Sequence, residues 1–205
     1  MSIITLYTDG GIRPDISMPL GTGFGGAGCI AELDGQPLFE ASYFCNGQTT
    51  NQRMELMAAI KGLTQIHLLI QDKKISKDGL IVNLHSDSAY MINCIKDGWW
   101  YNWMVKSKGK WANSAGKPVE NIDLWRLLLS LSNDAYKRVS VQFGPKHPWT
   151  KLYLDEDAKV IKSSYSGLNV NFIKVKGHAG IPLNEKADQL ATHGKNGNNY
   201  INIAV

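Results

Sequence analysis

The first fifty residues contain three strand-like apolar stretches separated by glycine-rich segments, and over the next twenty the apolar positions recur every three or four residues. Residues 3–8 are apolar, β-branched or aromatic and predict a buried strand that ends at Asp9-Gly10. Two further strand patterns cover residues 24–33 and 37–46, separated by Asp34-Gly35, a dipeptide typical of tight hairpins. The pattern therefore predicts three antiparallel strands at the start of the chain.

The apolar positions then change to a helical period. Thr50 or Asn51 is suited to cap a long helix, and Pro182 and Gly194 are suited to open and close the last one. Residues 80–85 and 169–175 predict two more strands, and further helices are predicted over 88–95 and 122–136. Helices between strands imply parallel crossovers, so the expected fold class is α/β. The apolar face of the long helix comprises Leu56, Ala59, Ile60, Leu63, Ile66 and Ile70.

These elements fit a single domain over residues 1–195. Residues 137–168 mix strand and turn signals and predict an insertion before the last strand, and residues 196–205 predict a polar, loose C-terminal tail. The chain has 205 residues, 43% of them hydrophobic, which is enough to bury a core. Charged residues make up 20%, which argues against wholesale disorder.

Composition limits the binding partners and the cellular compartment that we expect. The formal net charge of +4 permits a nucleic-acid partner but does not require one. Cys29, Cys45 and Cys94 form no CxxC pair, and their odd number argues against a disulfide framework. The N-terminus lacks a signal-peptide pattern, and no apolar run approaches the roughly 20 residues of a membrane span. We therefore expect a cytoplasmic protein with no membrane partner.

Four acidic residues lie at positions that the expected fold would bring close together. Asp9 and Asp87 follow strands that would pair in parallel, so both should lie at the sheet edge where α/β proteins bind ligands. Glu55 falls in the first turns of the long helix and Asp188 in the last helix. Four carboxylates at one edge would repel one another unless cations lay between them, and hard oxygen ligands select Mg²⁺ or Mn²⁺.

Each acid also has a plainer interpretation. Asp9-Gly10 fits a simple turn, and Asp87 between two serines fits a helix cap. Glu55 near a helix N-terminus would suit the helix dipole, and Asp188 beside Glu185 would suit a solvated helix face. Position alone leaves both interpretations open for all four.

Local motifs favour the metal site. The segments YTDGG, TTNQRMEL, HSDSAYMI and KGHAGIPLNEKADQLA occur in this order, and GWWYNW is followed by GKPVENIDLW between the last two. Together they resemble ribonuclease HI, the type 1 ribonuclease H family. Any one motif is weak, but five in order over nearly the whole chain are specific.

The resemblance implies a five-stranded mixed sheet, three strands antiparallel and two parallel, flanked by helices. It also implies an endonuclease that hydrolyses the RNA strand of RNA–DNA hybrids with two Mg²⁺ ions, Mn²⁺ being a substitute, and leaves 5′-phosphate and 3′-hydroxyl ends. Asp9, Glu55, Asp87 and Asp188 match the four metal ligands of the family. His178 matches a loop histidine that assists proton transfer or product release, although a surface loop histidine is the alternative.

Recognition of the hybrid is assigned in the same way. Asn51 and Gln52 match residues that contact RNA 2′-hydroxyls, the groups that distinguish RNA from DNA, although capping by Asn51 competes. Trp103 and Ser114 match positions that line the DNA channel. The residues that match the holders of a DNA phosphate are Thr50 and Asn121.

A stretch rich in tryptophan and lysine supports binding of the DNA strand. Between Lys96 and Lys117 there are five lysines against one acid, and four of the six tryptophans of the chain lie there. Lysines attract phosphates and aromatic faces pack on sugars or bases, so Lys106 and Lys108 are candidate contacts. Trp99 and Trp111 are the tryptophans that we expect to serve packing instead.

Some features depart from the family pattern. Residues 10–23 do not follow it, residues 106–110 add length, and residues 137–168 have no assigned purpose. We expect a monomer without an organic cofactor. Three alternatives stay open: a strand-transfer enzyme or junction resolvase of related fold, which would lack the TNQRMEL and GHAG signatures; a hybrid-binding module without catalysis; and a purely structural α/β domain.

Overall fold

The computed structural model describes residues 1–107, 109–132 and 167–205. Its strands are β1 (Ser2–Pro14), β2 (Gly23–Leu33), β3 (Gln36–Thr49), β4 (Leu80–Ser86), β5 (Asn169–Lys174) and β6 (Tyr200–Ile203). Its helices are α1 (Asn51–Gln71), α2 (Ala89–Lys96), the short α3 (Trp99–Tyr101), α4 (Ile122–Ser132) and α5 (Pro182–Lys195). A π-helical turn, Asn102–Lys106, follows α3.

The strands form one mixed sheet in the order β5-β4-β1-β2-β3-β6. β1, β2 and β3 pair antiparallel, and β4 lies parallel to both β1 and β5. Asp34 and Gly35 close the β2–β3 hairpin with positive φ angles of 50° and 80°, which suits this dipeptide. The predicted α/β mixed sheet is confirmed.

The C-terminal tail corrects the predicted strand count. Residues 200–203 form the sixth strand, antiparallel to β3 with Ala41 opposite Ile201, so the end of the tail is not loose. All four residues of β6 are exposed, so the sequence has no buried alternation to indicate a strand. The open edge of β3 supplies the hydrogen bonds that the local pattern does not specify.

Helix α1 begins where the sequence predicts. The Thr50 hydroxyl accepts a hydrogen bond from the backbone N–H of Arg53 at 3.3 Å, which caps the N-terminus. Its apolar face packs into a continuous core with β1, β2, β4 and α4. Five of the six predicted residues of that face are fully buried, and Ile70 is half-buried. The five are Leu56, Ala59, Ile60, Leu63 and Ile66.

Several predicted boundaries move, among them the end of β3, which lies at Thr49 instead of residue 46. β1 continues to Pro14 instead of ending at Asp9, because β2 pairs with it along its whole length, up to Pro14 opposite Gly23. α5 runs one residue past Gly194 and is capped at Asn196. A Cβ at Gly194 would lie 2.4 Å from the carbonyl oxygen of Tyr43, so this glycine permits close packing instead of ending the helix.

The predicted insertion falls almost wholly on residues 133–166, outside the described ranges. At its described end, Leu168 is buried and its N–H donates to the Leu131 carbonyl at 2.9 Å, so the chain returns beside α4 before β5 begins. Among the described residues, no helix is both long and apolar enough to cross a membrane.

Candidate active site

Three acidic side chains meet beside the end of the β1–β4 pairing. Asp87 directly follows β4, and Asp9 lies two residues beyond the last parallel pair, Tyr7 with His85. Glu55 reaches the same place from the first turns of α1. One carboxylate oxygen from each of Asp9, Glu55 and Asp87 lies within 4.8 Å of the others. The predicted convergence of these three acids is therefore present.

Gly10 allows Glu55 to come this close. A Cβ at this position would lie 2.2 Å from the carbonyl carbon of Met54 and 2.3 Å from the nitrogen of Glu55, inside any permitted contact. A residue without a side chain lets the N-terminal turns of α1 rest directly on β1. The Asp-Gly pair is thus part of a strand, and its glycine sets the distance from strand to helix.

Asp188 approaches from the opposite layer. α5 packs closely on β2, since a Cβ at Gly28 would lie 2.3 Å from the carbonyl oxygen of Ala187. This packing brings the Asp188 carboxyl beside Asp9, where its negative charge helps to raise the pKa of Asp9. Asp188 is outside the trio of mutually close oxygens, but it contacts one of its members.

The electrostatics of the cluster disfavour negative charge. Burial, followed by repulsion from Asp87 and Asp188, raises the pKa of Asp9 to about 7. Burial, followed by repulsion from Asp9 and Asp87, raises the pKa of Glu55 to about 9. Within the described residues, the Glu55 Oε2 atom is buried without a hydrogen-bond partner. Carboxylates crowded in this way, with an unpaired buried oxygen, suit a divalent cation with oxygen ligands.

His178 lies on an exposed loop beside the cluster. The loop comes so close to Asp87 that a Cβ at Gly177 would lie 2.4 Å from its Oδ2 atom. His178 has a positive φ of 52°, uncommon for a non-glycine residue, and is exposed to solvent. The structure therefore places the backbone of this loop against the acids and leaves the imidazole accessible.

Four predicted nucleic-acid contacts lie at or beside the start of α1, two of them exposed and two half-buried. Asn51 and Gln52 are exposed and lie less than one helical turn before Glu55. Thr50 and Asn121 are linked through Arg53, whose backbone N–H donates to Thr50 and whose Nη1 donates to the Asn121 side chain at 3.2 Å.

Sequence reasoning did not single out Arg53. Its guanidinium makes a two-pronged ion pair with Asp123, at 3.0 and 2.6 Å, and so fixes the start of α4 against α1. The available signal was the arginine inside the TTNQRMEL motif, which lies between the amide pair and Glu55 in the sequence.

An open groove of about 840 Å³ lies along the tryptophan- and lysine-rich segment. Three of the predicted DNA contacts, Trp103, Lys106 and Ser114, line this groove, whereas Lys108 lies outside the described residues. Further lining residues that the sequence reasoning missed are Trp99, Asn102, Ser107, Lys110, Ala112, Asn113 and Gly116.

The division of the tryptophans differs in part from the prediction. Trp111 is fully buried as expected, but Trp99 is 40% exposed and belongs to the groove. Trp100 takes the packing role instead, with an exposure of 7%. Adjacent tryptophans point in different directions on a helical turn, so composition alone could not decide which one faces the core.

Comparison with known proteins agrees with this geometry. The family model for RNase H matches residues 1–151. Ribonuclease H of Chlorobium limicola is 33% identical over 188 residues, which is 92% of this chain and 92% of that protein. Ribonuclease H of Lachnoclostridium phytofermentans is 32% identical over 199 residues, 96% of this chain and 94% of that one.

Solved structures agree at the level of the fold. LC9-RNase H1, described as a type 1 RNase H with the type 2 active-site motif, matches with a TM-score of 0.62 and 21% identity, over 98% of this chain and 77% of that one. The mixed sheet with its flanking helices is thus an RNase H fold. The chain belongs to the ribonuclease H family, and it is a ribonuclease.

Proposed function

We propose that this enzyme is an endonuclease that hydrolyses the RNA strand of RNA–DNA hybrids with two divalent metal ions, leaving 5′-phosphate and 3′-hydroxyl ends. One observation carries the proposal: Asp9, Glu55 and Asp87 converge within 4.8 Å beside an exposed amide pair, Asn51 and Gln52. The acids supply the chemistry and the amides supply the selectivity.

The donor set fits Mg²⁺, with Mn²⁺ as a substitute. Asp9, Glu55, Asp87 and Asp188 offer only carboxylate oxygens. Burial and mutual repulsion raise the pKa values of Asp9 and Glu55, so a bound cation would offset a charge that this site disfavours. When bound, two such ions would activate water and neutralise charge on the scissile phosphate. A bound cation would also provide a ligand partner for the Oε2 atom of Glu55, which is buried without a hydrogen bond among the described residues.

The remaining residues bind and orient the substrate. Asn51 and Gln52 would hydrogen-bond RNA 2′-hydroxyls at the wide minor groove, which positions the RNA strand over the acids. His178, exposed on the loop against Asp87, would carry a proton to or from the reacting phosphate oxygens. Both roles depend on exposed side chains next to the buried cluster.

The DNA strand would follow the groove beside α3. Trp103 would pack on sugars or bases, and Ser114, Lys106 and Lys108 would contact phosphates. Thr50 and Asn121 would hold one phosphate near Arg53. We also propose a monomer in a reducing cytoplasm. In support, the chain itself supplies all four acids, and its three cysteines are free.

Cleavage of matched labelled duplexes tests the proposal. RNA–DNA hybrid, double-stranded RNA and double-stranded DNA are incubated with the enzyme, with and without Mg²⁺. We expect Mg²⁺-dependent cutting of the RNA strand of the hybrid alone. Cleavage of DNA would indicate a strand-transfer or resolvase activity, and tight hybrid binding without cleavage would indicate a binding module.

A pair of variants locates the chemistry. Asp87→Asn should lower kcat by about a thousandfold or more, since metal-ion stabilisation contributes several kcal/mol, while hybrid binding persists. Asp78→Asn is the matched control, because Asp78 is exposed at the opposite end of β4. Equal activity of the two variants would exclude the acidic cluster as the catalytic site.

A further inference from the structure

The ammonium group of Lys195 lies over the β1 backbone next to the acidic cluster. A Cβ at Gly11 would be 3.7 Å from Lys195 Nζ and 3.8 Å from Asn51 Oδ1. The two polar groups therefore lie close to the same point, which is free of a side chain because residue 11 is glycine. Lys195 lies in the last turn of α5.

Lys195 has no partner, within the part of the chain that the structure describes, that explains this position. In residues 1–107, 109–132 and 167–205, its ammonium makes neither an ion pair nor a hydrogen bond. Lys186 on the same helix pairs with Glu40 at 3.2 Å, and Lys74 donates to the carbonyl of Val205 at 2.8 Å. A half-buried lysine whose ammonium has no partner among the described residues is available to an external anion.

The strand geometry orders the charges along one line. Asp9 is paired with Gly28 and Gly11 with Gly26, and both of those glycines face α5. Side chains two residues apart in a strand share a face and lie about 7 Å from each other. The Lys195 ammonium therefore lies beside Gly11, two residues along β1 from Asp9, on the face where Asp188 approaches Asp9.

The neighbouring turn offers little positive charge of its own. Residues 15–22 between β1 and β2 contain no lysine or arginine, and Ile16 and Leu20 are fully exposed there. Arg13 precedes the turn, with its guanidinium over the Phe24 ring at 5.5 Å from the centroid. A nucleic-acid strand that runs from the acids along β1 would meet Lys195 first and Arg13 next.

We propose that Lys195 is a positioning residue that binds a phosphate of the RNA strand adjacent to the scissile one. The assignment rests on the proposed function. Asn51 would take a 2′-hydroxyl while Lys195 takes a neighbouring phosphate, so the two groups across Gly11 hold one stretch of RNA from both sides. A compact ammonium suits this contact, because it binds a phosphate as a point charge.

A purely structural role makes different predictions. A cation in the last turn of a helix favours the helix dipole, and it also offsets the negative charge of the nearby acids. In either case, removing the charge would lower the thermal stability or alter the Mg²⁺ requirement and leave the KM for the hybrid unchanged.

Steady-state kinetics on a labelled hybrid distinguish the two roles. Lys195→Ala should raise the KM about tenfold, with little change in kcat. It should also make the negative slope of log(kcat/KM) against log[salt] shallower by about 1. Lys195→Arg should restore most of the loss. Lys186→Ala is the control, since it removes the same charge from another face of α5. Lys195→Gln replaces the alanine variant if the latter unfolds.

Neutral phosphate substitutions identify the contact itself. Single methylphosphonates are placed in turn along the RNA strand and the binding of wild type and Lys195→Ala is compared. We expect one position at which the substitution weakens wild type and leaves the variant unaffected. Equal losses at every position, or an unchanged KM for Lys195→Ala, would overturn the proposal. Absence of hybrid cleavage by the wild type would instead refute the proposed function.

Discussion

Glu55 should lower the stability of the metal-free enzyme at neutral pH. In the folded state its pKa is about 9, against an ordinary value of 4.5, so the folded protein retains a proton that the unfolded chain has released. Stability therefore falls as pH rises from about 4.5 to about 9. Between 4.5 and pH 7 the difference amounts to about 3 kcal/mol, at roughly 1.4 kcal/mol per pH unit.

Glu55→Gln isolates this contribution, because glutamine has the shape of the protonated acid and does not titrate. With EDTA at pH 7, we expect the variant to be more stable than wild type by about 3 kcal/mol, which is a Tm increase of about 6 to 12 °C for a chain of this size. The gain should be small at pH 4.5 and vanish below it, where wild type carries the proton in both states.

Urea and thermal unfolding between pH 4.5 and 8.5 provide the measurement. The difference between wild type and variant cancels the titrating groups that do not interact with Glu55. Glu120→Gln is the control, since Glu120 is exposed and its substitution should change stability by less than about 0.5 kcal/mol. Added Mg²⁺ should stabilise wild type more than Glu55→Gln by mass action. A variant no more stable than wild type at pH 7 would refute the reasoning.

Three other perturbations test the surrounding structure. Gly10→Ala should destabilise by about 1–3 kcal/mol in urea unfolding, because the new Cβ meets the backbone of α1, whereas Gly47→Ala, with open space, should be neutral. Lys106→Ala with Lys108→Ala should raise the KM for hybrid and flatten its salt dependence; a change in kcat alone would contradict the groove assignment. Removing residues 200–205 should lower stability by roughly 1 kcal/mol through loss of β6 pairing and leave kcat/KM unchanged, whereas a loss of activity would contradict a peripheral role.

The sequence determined the elements whose signals are local. The three- and four-residue period of α1 and the capping hydroxyl of Thr50 lie within one segment, so the helix is where the pattern predicts. The β2–β3 hairpin follows from Asp34-Gly35 for the same reason. Ordered motifs also identified the acids in advance, because each motif carries its acid with it.

Tertiary structure decided what depends on residues far apart in the chain. β1 extends past Asp9 because β2 pairs with it, and residues 200–203 become a strand because β3 leaves an edge open. Which tryptophan of α3 is buried depends on the side of the helix that packs on the core. Trp100 faces the core and Trp99 is exposed, the reverse of the prediction for Trp99.

The acidic site shows both contributions. The sequence supplied the carboxylates and the motifs that resemble a known family. Their separation was set by contacts between layers, through Gly10 under α1 and Gly28 under α5. Burial and mutual repulsion then raise the pKa values of Asp9 and Glu55, and neither effect exists in an unfolded chain where the four acids are solvated and apart. The position of Lys195 over Gly11 has the same origin, since it requires the last turn of α5 to cross the first strand.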